Sequence, residues 1–151
     1  MSESFSIRCL FVYGTLREAA GHELHKVLET NAMSLGQGTV RGELYDLGGY
    51  PGLVHDRDAT GVVKGEAYEI DADRLAPTLR VLDEYEGLSV GDRSSREYRR
   101  ALVPVTLDDG RPVDAWAYVV CRSLEGLTRI WSGDFVTWRA SRRGALLPNA
   151  R

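Results

Sequence analysis

Apolar residues crowd into short strand-like runs along the chain, and only two stretches space them helically. Ile7–Tyr13 is apolar almost throughout, which predicts a central strand covered on both faces. His22–Thr30 places Leu24, Val27 and Leu28 at helical spacing. Strands are predicted at Ser34–Gly38, Val40–Leu47, Leu53–His55 and Val62–Ile70, with Gly48–Gly52 (GGYPG) as an irregular turn. Asp71 and Asp73 are candidate N-caps for a helical region reaching Tyr85, its main part opened by Pro77. Tyr98–Leu107 and Val113–Cys121 predict a hairpin around Asp108-Asp109-Gly110, the second strand aligning Val113, Ala115, Ala117, Val119 and Cys121 on one face. Residues from Ser141 to Arg151 read as a flexible, solvated tail on a single domain spanning 1–151. Many strands and two helices without a βαβα rhythm predict an α+β fold, a mixed sheet curled into a small barrel.

One residue breaks the helical pattern. In LAPTLRVLDEYEG, Leu75, Leu79, Leu82 and Glu86 fall within roughly 40° of one another at helical pitch. Glu86 therefore stands where a fourth leucine belongs. An unpaired buried carboxylate costs several kcal/mol, so on this stripe Glu86 must be paired, protonated or at a cavity edge. Desolvation raises its pKa toward the range a general acid/base needs. The alternative is that the helix frays at Tyr85, with Gly87 after it, and Glu86 swings into solvent. Neighbouring Asp83 and Glu84 read as ordinary exposed acids.

Composition narrows the chemistry. The chain has 151 residues, 43% hydrophobic and 27% charged, enough to bury a core without metal or disulfide. A net charge of −3 gives no reason to expect a nucleic-acid partner. Cys9 and Cys121 lie in strand-like runs and are expected as buried thiols in a reducing, cytoplasmic setting. No signal peptide or membrane span is expected. His22 and His25 make H-E-x-H rather than H-E-x-x-H, so no metal site is expected. Phosphate-binding glycine motifs and the G-x-S-x-G elbow are not found, and GQGTVRG at Gly36–Gly42 has the wrong spacing. A carboxylate without metal, cofactor or protein nucleophile is left, which points to proton transfer on a substrate carrying its own nucleophile.

The segments FVYGTLR, GELYDLGGYPGLV, VKGEAYEI, LDEYEG with EYRR, and WSGDF, in that order from about Leu10 to Phe135, resemble the γ-glutamylcyclotransferase-like family. The resemblance implies a small, largely antiparallel β-barrel flanked by short helices. It also implies an enzyme without metal or cofactor that releases 5-oxoproline from a small-molecule γ-glutamyl substrate. By position, the catalytic glutamate becomes Glu86. Tyr13, Gly14, Thr15 and Leu16 become the loop lining the 5-oxoproline cavity, and Tyr98 the tyrosine whose hydroxyl faces it. Gly49, Tyr50 and Pro51 close one side. For Tyr98 the plainer role is cross-strand packing; its functional role would be a hydrogen bond to Glu86 or to substrate. The chain departs from the family in WSGDF, where Phe135 replaces the more usual tryptophan; this segment is expected to pack rather than react. Gly14, lacking a Cβ, lets a ligand approach backbone N–H groups that could hold a carboxylate or a developing oxyanion, unless it serves only as a strand-to-helix turn. The motifs address the glutamyl end and leave the leaving group open: an amino acid, cysteinylglycine, a lysine ε-amine or another amine. A non-catalytic binding module using the same cavity is the alternative of another class, and a scaffold without a cavity is a third.

Overall fold

The computed structural model describes residues 7–14, 25–87 and 97–146. Seven strands and three helices follow one another as β1 (Cys9–Val12), α1 (His25–Asn31), β2 (Ala32–Asp46), β3 (Pro51–His55), β4 (Val62–Ile70), α2 (Leu75–Tyr85), β5 (Tyr98–Leu107), β6 (Pro112–Val120), β7 (Thr128–Arg129) and α3 (Phe135–Leu146), with a 3-10 turn at Ala72–Arg74 before α2. Strands β1, β4, β2, β5 and β6 close a five-stranded barrel: every pairing is antiparallel except β1 with β6, which is parallel. Outside this ring, β3 bridges β2 and β6, and β7 adds to β2. The fold is the small mixed barrel with short helices that the resemblance implies.

Alternation along β1 explains why its sequence is apolar on both faces. Phe11 and Tyr13 point into the barrel cluster with Val40, Leu44, Leu53 and Val103. Leu10 and Val12 point outward into a second cluster, where Leu28 of α1 and Leu79 and Leu82 of α2 cover the sheet. Strand β4 repeats the device, with Val63 and Ala67 inside and Tyr68 and Ile70 beneath the helices. α3 delivers Phe135 into the barrel cluster, fully buried. Asp134 caps that helix by accepting from the N–H groups of Val136 (3.1 Å) and Thr137 (3.3 Å).

Several boundaries differ from those the pattern predicts. The two strands expected at Ser34–Gly38 and Val40–Leu47 are one long β2, bent by a bulge between Ser34 and Gly36 that lets it change partners along its length. Asp71 precedes the 3-10 turn but makes no side-chain cap, and α2 begins at Leu75, so Pro77 sits within the first turn rather than at its first position. Pro51 and Gly52, expected in the GGYPG turn, already belong to β3. Residues 141–146 continue α3. Cys121 lies just past the end of β6 and is exposed, and Cys9 is only partly buried, so neither is the fully buried thiol expected. Among the described residues, no helix is long and apolar enough to cross a membrane, and no three His, Cys, Asp or Glu side chains cluster as metal ligands.

Leu82 is fully buried between α2 and the outer wall of the barrel. Leu82→Ala is expected to lower the unfolding free energy by about 2–5 kcal/mol in urea denaturation. A cost below about 1 kcal/mol would mean that α2 is not firmly seated on the sheet.

Candidate active site

Where α2 stops determines what Glu86 can do. The helix ends at Tyr85 and Glu86 leaves helical geometry (φ −82°, ψ 1°, in the bridge region), yet its N–H still donates to Leu82 O at 2.9 Å. Gly87, at φ +82°, then turns the chain away and donates to Glu84 O at 3.1 Å, a conformation that favours glycine. Both halves of the sequence reading therefore meet. The helix does end at Tyr85 with Gly87 behind it, but Glu86 stays partly buried at a cavity edge instead of lying fully in solvent.

Glu86 thereby lines a cavity of about 390 Å³. Phe11, Val12, Tyr13 and Gly14 form one wall, Tyr50 and Pro51 a second, and Tyr98 and Tyr118 a third. Tyr13, Gly14, Tyr50, Pro51, Glu86 and Tyr98 are thus brought together from four separate segments. Thr15 and Leu16 lie outside the described residues. Gly14 has a local reason to lack a side chain: a Cβ there would come within 2.7 Å of Pro51 Cγ. The glycine lets the end of β1 and the start of β3 close over the same space.

Buried tyrosine hydroxyls fasten these walls. Tyr13 donates to Tyr118 O and accepts from Leu53 N–H at 3.1 Å, tying β1 to β6 and β3. The Tyr98 hydroxyl donates to Pro51 O rather than to Glu86, so its proton is committed to holding β5 against β3. Burial pushes the Tyr13 and Tyr98 hydroxyls upward in pKa, and the nearby Glu86 adds to it, so both remain neutral. The Gly48–Tyr50 segment is shaped by Asp46, whose Oδ1 accepts from Gly48 N–H (2.9 Å) and Gly49 N–H (2.7 Å). That turn carries Tyr50 to the cavity rim, where its hydroxyl donates to Glu97 Oε1 at 2.5 Å.

Two carboxylates line the cavity and differ in kind. Glu97 is satisfied by Tyr50 and by Arg122, whose guanidinium reaches Oε2 at 2.7 Å. Among the described residues, no hydrogen bond or ion pair engages the Glu86 carboxyl. Burial, with a smaller contribution from the negative charge of Asp83, pushes Glu86 up to about 7. A carboxyl poised there both accepts and returns a proton near neutral pH, which suits general acid/base chemistry.

Sequence reasoning missed Tyr118, Glu97 and Asp83. Asp83 is not the ordinary exposed acid expected of it: it is partly buried and paired with Arg100 (Nε to Oδ1, 2.9 Å) and with the Tyr118 hydroxyl (2.6 Å). The available signal was the helical three-residue spacing from Asp83 to Glu86, which puts both acids on neighbouring positions of one face. Tyr118 sits on the outward face of β6, opposite the small residues Ala115, Ala117 and Val119 that fill the barrel.

Comparisons with known proteins establish the family and support the fold. The family model described as γ-glutamyl cyclotransferase, AIG2-like, matches residues 10–139. The γ-glutamylcyclotransferase family protein YtfP of Citrobacter rodentium (strain ICC168) is 38% identical over 128 residues, covering 84% of this chain and 94% of that protein. Among solved structures, YkqA from Bacillus subtilis superposes with a TM-score of 0.67 at 26% identity, over 90% of this chain but only 42% of YkqA. The AIG2-like protein of Mus musculus gives a TM-score of 0.55 at 27% identity, over 76% of this chain and 78% of that one. The chain belongs to the AIG2-like γ-glutamyl cyclotransferase family.

The raised Glu86 pKa makes a prediction about stability. Between its ordinary value of 4.5 and about 7, the unfolded chain is ionised at this position while the folded chain keeps its proton. Folding then takes up a proton, so this group's contribution to stability falls as pH rises through that window and levels off above it. Glu86→Gln removes the dependence: its unfolding free energy relative to wild type should climb by ~3 kcal/mol from pH 4.5 to pH 8. A difference that stays flat across pH in urea titrations would show that the carboxyl is well solvated.

Proposed function

We propose that the protein is a cyclotransferase that releases 5-oxoproline and a free amine from a γ-glutamyl compound, with Glu86 as its general acid/base. The observation that carries this reading is the Glu86 carboxyl itself: it lines the cavity, unpartnered among the described residues and lifted toward neutrality, while the Tyr13 and Tyr98 hydroxyls are engaged by backbone carbonyls, Tyr118 by Asp83, and Tyr50 and Glu97 by each other. Family membership supports the same chemistry.

In a γ-glutamyl substrate the α-nitrogen can fold back onto the γ-amide carbonyl through a five-membered ring. The Glu86 carboxylate takes a proton from the α-ammonium, and the freed amine attacks the carbonyl carbon. As the tetrahedral intermediate collapses, the bond from that carbon to the leaving nitrogen breaks and Glu86 returns its proton to that nitrogen; the second proton that the α-nitrogen sheds in becoming the lactam N–H passes to the re-formed Glu86 carboxylate and from there to the departing amine, which leaves as an ammonium. No water is consumed. The enzyme needs no nucleophile of its own, because the substrate carries one. Its task is to hold the glutamyl moiety folded, which supplies up to ~7–11 kcal/mol through orientation, and to shuttle protons from the α-nitrogen to the leaving nitrogen, worth about 10²–10⁴-fold. The Tyr13–Gly14 backbone is assigned to the glutamyl end and to the oxyanion, and Thr15 and Leu16, outside the described residues, are assigned to the same end by the family resemblance. Tyr98, its proton engaged by Pro51, shapes the wall and presents only its oxygen as an acceptor. Tyr50 and Pro51 border the side through which the leaving amine departs.

Incubation with γ-glutamyl amino acids, γ-glutamyl amines and glutathione, followed by detection of free 5-oxoproline, tests the reaction. Wild type is expected to release it from at least one of these, with kcat/KM rising through pH about 7 as Glu86 ionises. Glu86→Gln should fold and lose at least ~10²-fold in turnover. A variant that retained near-wild-type turnover would remove Glu86 from the mechanism, and a silent panel would leave the binding-module alternative in its place.

A further inference from the structure

Behind the cavity wall lies a polar cluster that the reaction as written does not use. Asp83 stands three residues before Glu86 on α2, a spacing that puts Cβ atoms about 5–6 Å apart. Arg100 of β5 holds both Asp83 oxygens, Nε to Oδ1 at 2.9 Å and the terminal nitrogen to Oδ2 at 3.2 Å. The Tyr118 hydroxyl of β6 donates to Asp83 Oδ1 at 2.6 Å, and the Arg100 guanidinium lies 4.8 Å from the centre of the Trp116 ring. Arg100 and Tyr118 face each other in the β5–β6 register, and so do Leu102 and Trp116. The cluster is therefore built on rigid strand positions, and α2 docks onto it through one side chain.

Its placement is informative. Tyr118 lines the 390 Å³ cavity, while Asp83, Arg100 and Trp116 line a separate outer groove along α2. The ion pair thus forms part of the partition between the two. Its bidentate geometry and partial burial, with both side chains about one-quarter exposed, distinguish it from a mobile surface pair. A structural latch alone has no need of a charge beside the general base, since an apolar contact would seat the helix as well.

We propose that Asp83 is a positioning residue for Glu86: clamped between Arg100 and Tyr118, it fixes the last turn of α2 over the cavity and supplies a negative field at the Glu86 carboxyl, with Arg100 setting the strength of that field. The inference rests on the reading of Glu86 as general acid/base. Among the described residues, the other titratable groups that line the cavity with this carboxyl are Tyr13 from the end of β1, Tyr50 before β3, Tyr85 from α2, Tyr98 from β5 and Tyr118 from β6, with Glu97 beside Tyr98; burial holds Tyr13, Tyr98 and Tyr118 neutral, and Glu97 is paired with Arg122. Asp83, in the last turn of α2, lies three residues before Glu86, and after burial its negative charge is the second cause of the raised Glu86 pKa.

The test follows Glu86 ionisation by ¹³C NMR in glutamate-labelled full-length wild type, Asp83→Asn and Arg100→Gln, and measures the pH dependence of 5-oxoproline release on the same proteins. Asp83→Asn should lower the Glu86 pKa by about one unit, and Arg100→Gln should raise it by a similar amount. The acid limb of kcat/KM should move with it in each case. A merely structural clamp predicts otherwise, because loosening it from either side admits water and shifts both variants downward. Tyr118→Phe removes one donor from Asp83 without touching the ion pair and should move Glu86 upward, which keeps the test alive if an ion-pair variant fails to fold. Shifts of the same sign in all variants, or none, overturn the inference. Opposite shifts with no 5-oxoproline from any protein uphold the electrostatic coupling and overturn the assigned reaction. Release of 5-oxoproline without opposite shifts upholds the reaction and overturns the coupling.

Discussion

A carboxyl group carried one residue past the end of an amphipathic helix, into a space where nothing described pairs with it, is the constraint on which the structure turns. Burying such a group is unfavourable, and its neutral form is the cheaper one to hold there. The arrangement persists because the helix beneath it is anchored by Leu79 and Leu82 against a sheet that is itself covered on both faces. Gly87 finishes the work by turning the backbone away once Glu86 is placed. A fold that satisfied every polar group would have left the site chemically inert.

The surrounding polar groups show the opposite economy. Tyr13 and Tyr98 each spend their hydroxyl on a backbone carbonyl of another strand, Tyr118 spends its own on Asp83, and Glu97 is held by Tyr50 and Arg122. Each of these bonds joins elements distant in sequence, so the cavity's shape is fixed by the same contacts that close the barrel. Rigid walls suit the proposed cyclisation, whose main requirement is a folded substrate conformation. Of the two acids in the described lining, Glu97 is paired and Glu86 has no partner among the described residues. Pairing, more than residue type, separates the carboxylate proposed to react from the structural one.

Much of this was legible in the residues themselves. Val62–Ile70 and the Tyr98–Leu107 strand match the observed elements because their apolar runs are bounded by clear turn signals. The acid at the end of the leucine row was visible as a break in helical periodicity, and the structure places it at a cavity edge. Other features depended on tertiary context. The bulge that fuses two expected strands into β2 arises from its pairing with β4, which no local pattern encodes. Cys121 reads as apolar strand, yet the strand ends at Val120 and the thiol-bearing residue emerges beyond it. Asp83 looked like one of several surface acids because its partners, Arg100 and Tyr118, lie 17 and 35 residues away in sequence. Convergence of Tyr13, Tyr50 and Tyr98 on one hollow came from motif order and from barrel closure, not from spacing.

Direct sight of the ligand bears most closely on the central claim. A crystal structure determined with 5-oxoproline at saturating concentration should show the ring in the cavity between the Tyr13–Gly14 turn and Tyr98, with a Glu86 carboxyl oxygen about 2.6–3.2 Å from its nitrogen or ring carbonyl. A ring bound elsewhere on the molecule, or one seated in the cavity with Glu86 rotated out into water, would contradict it.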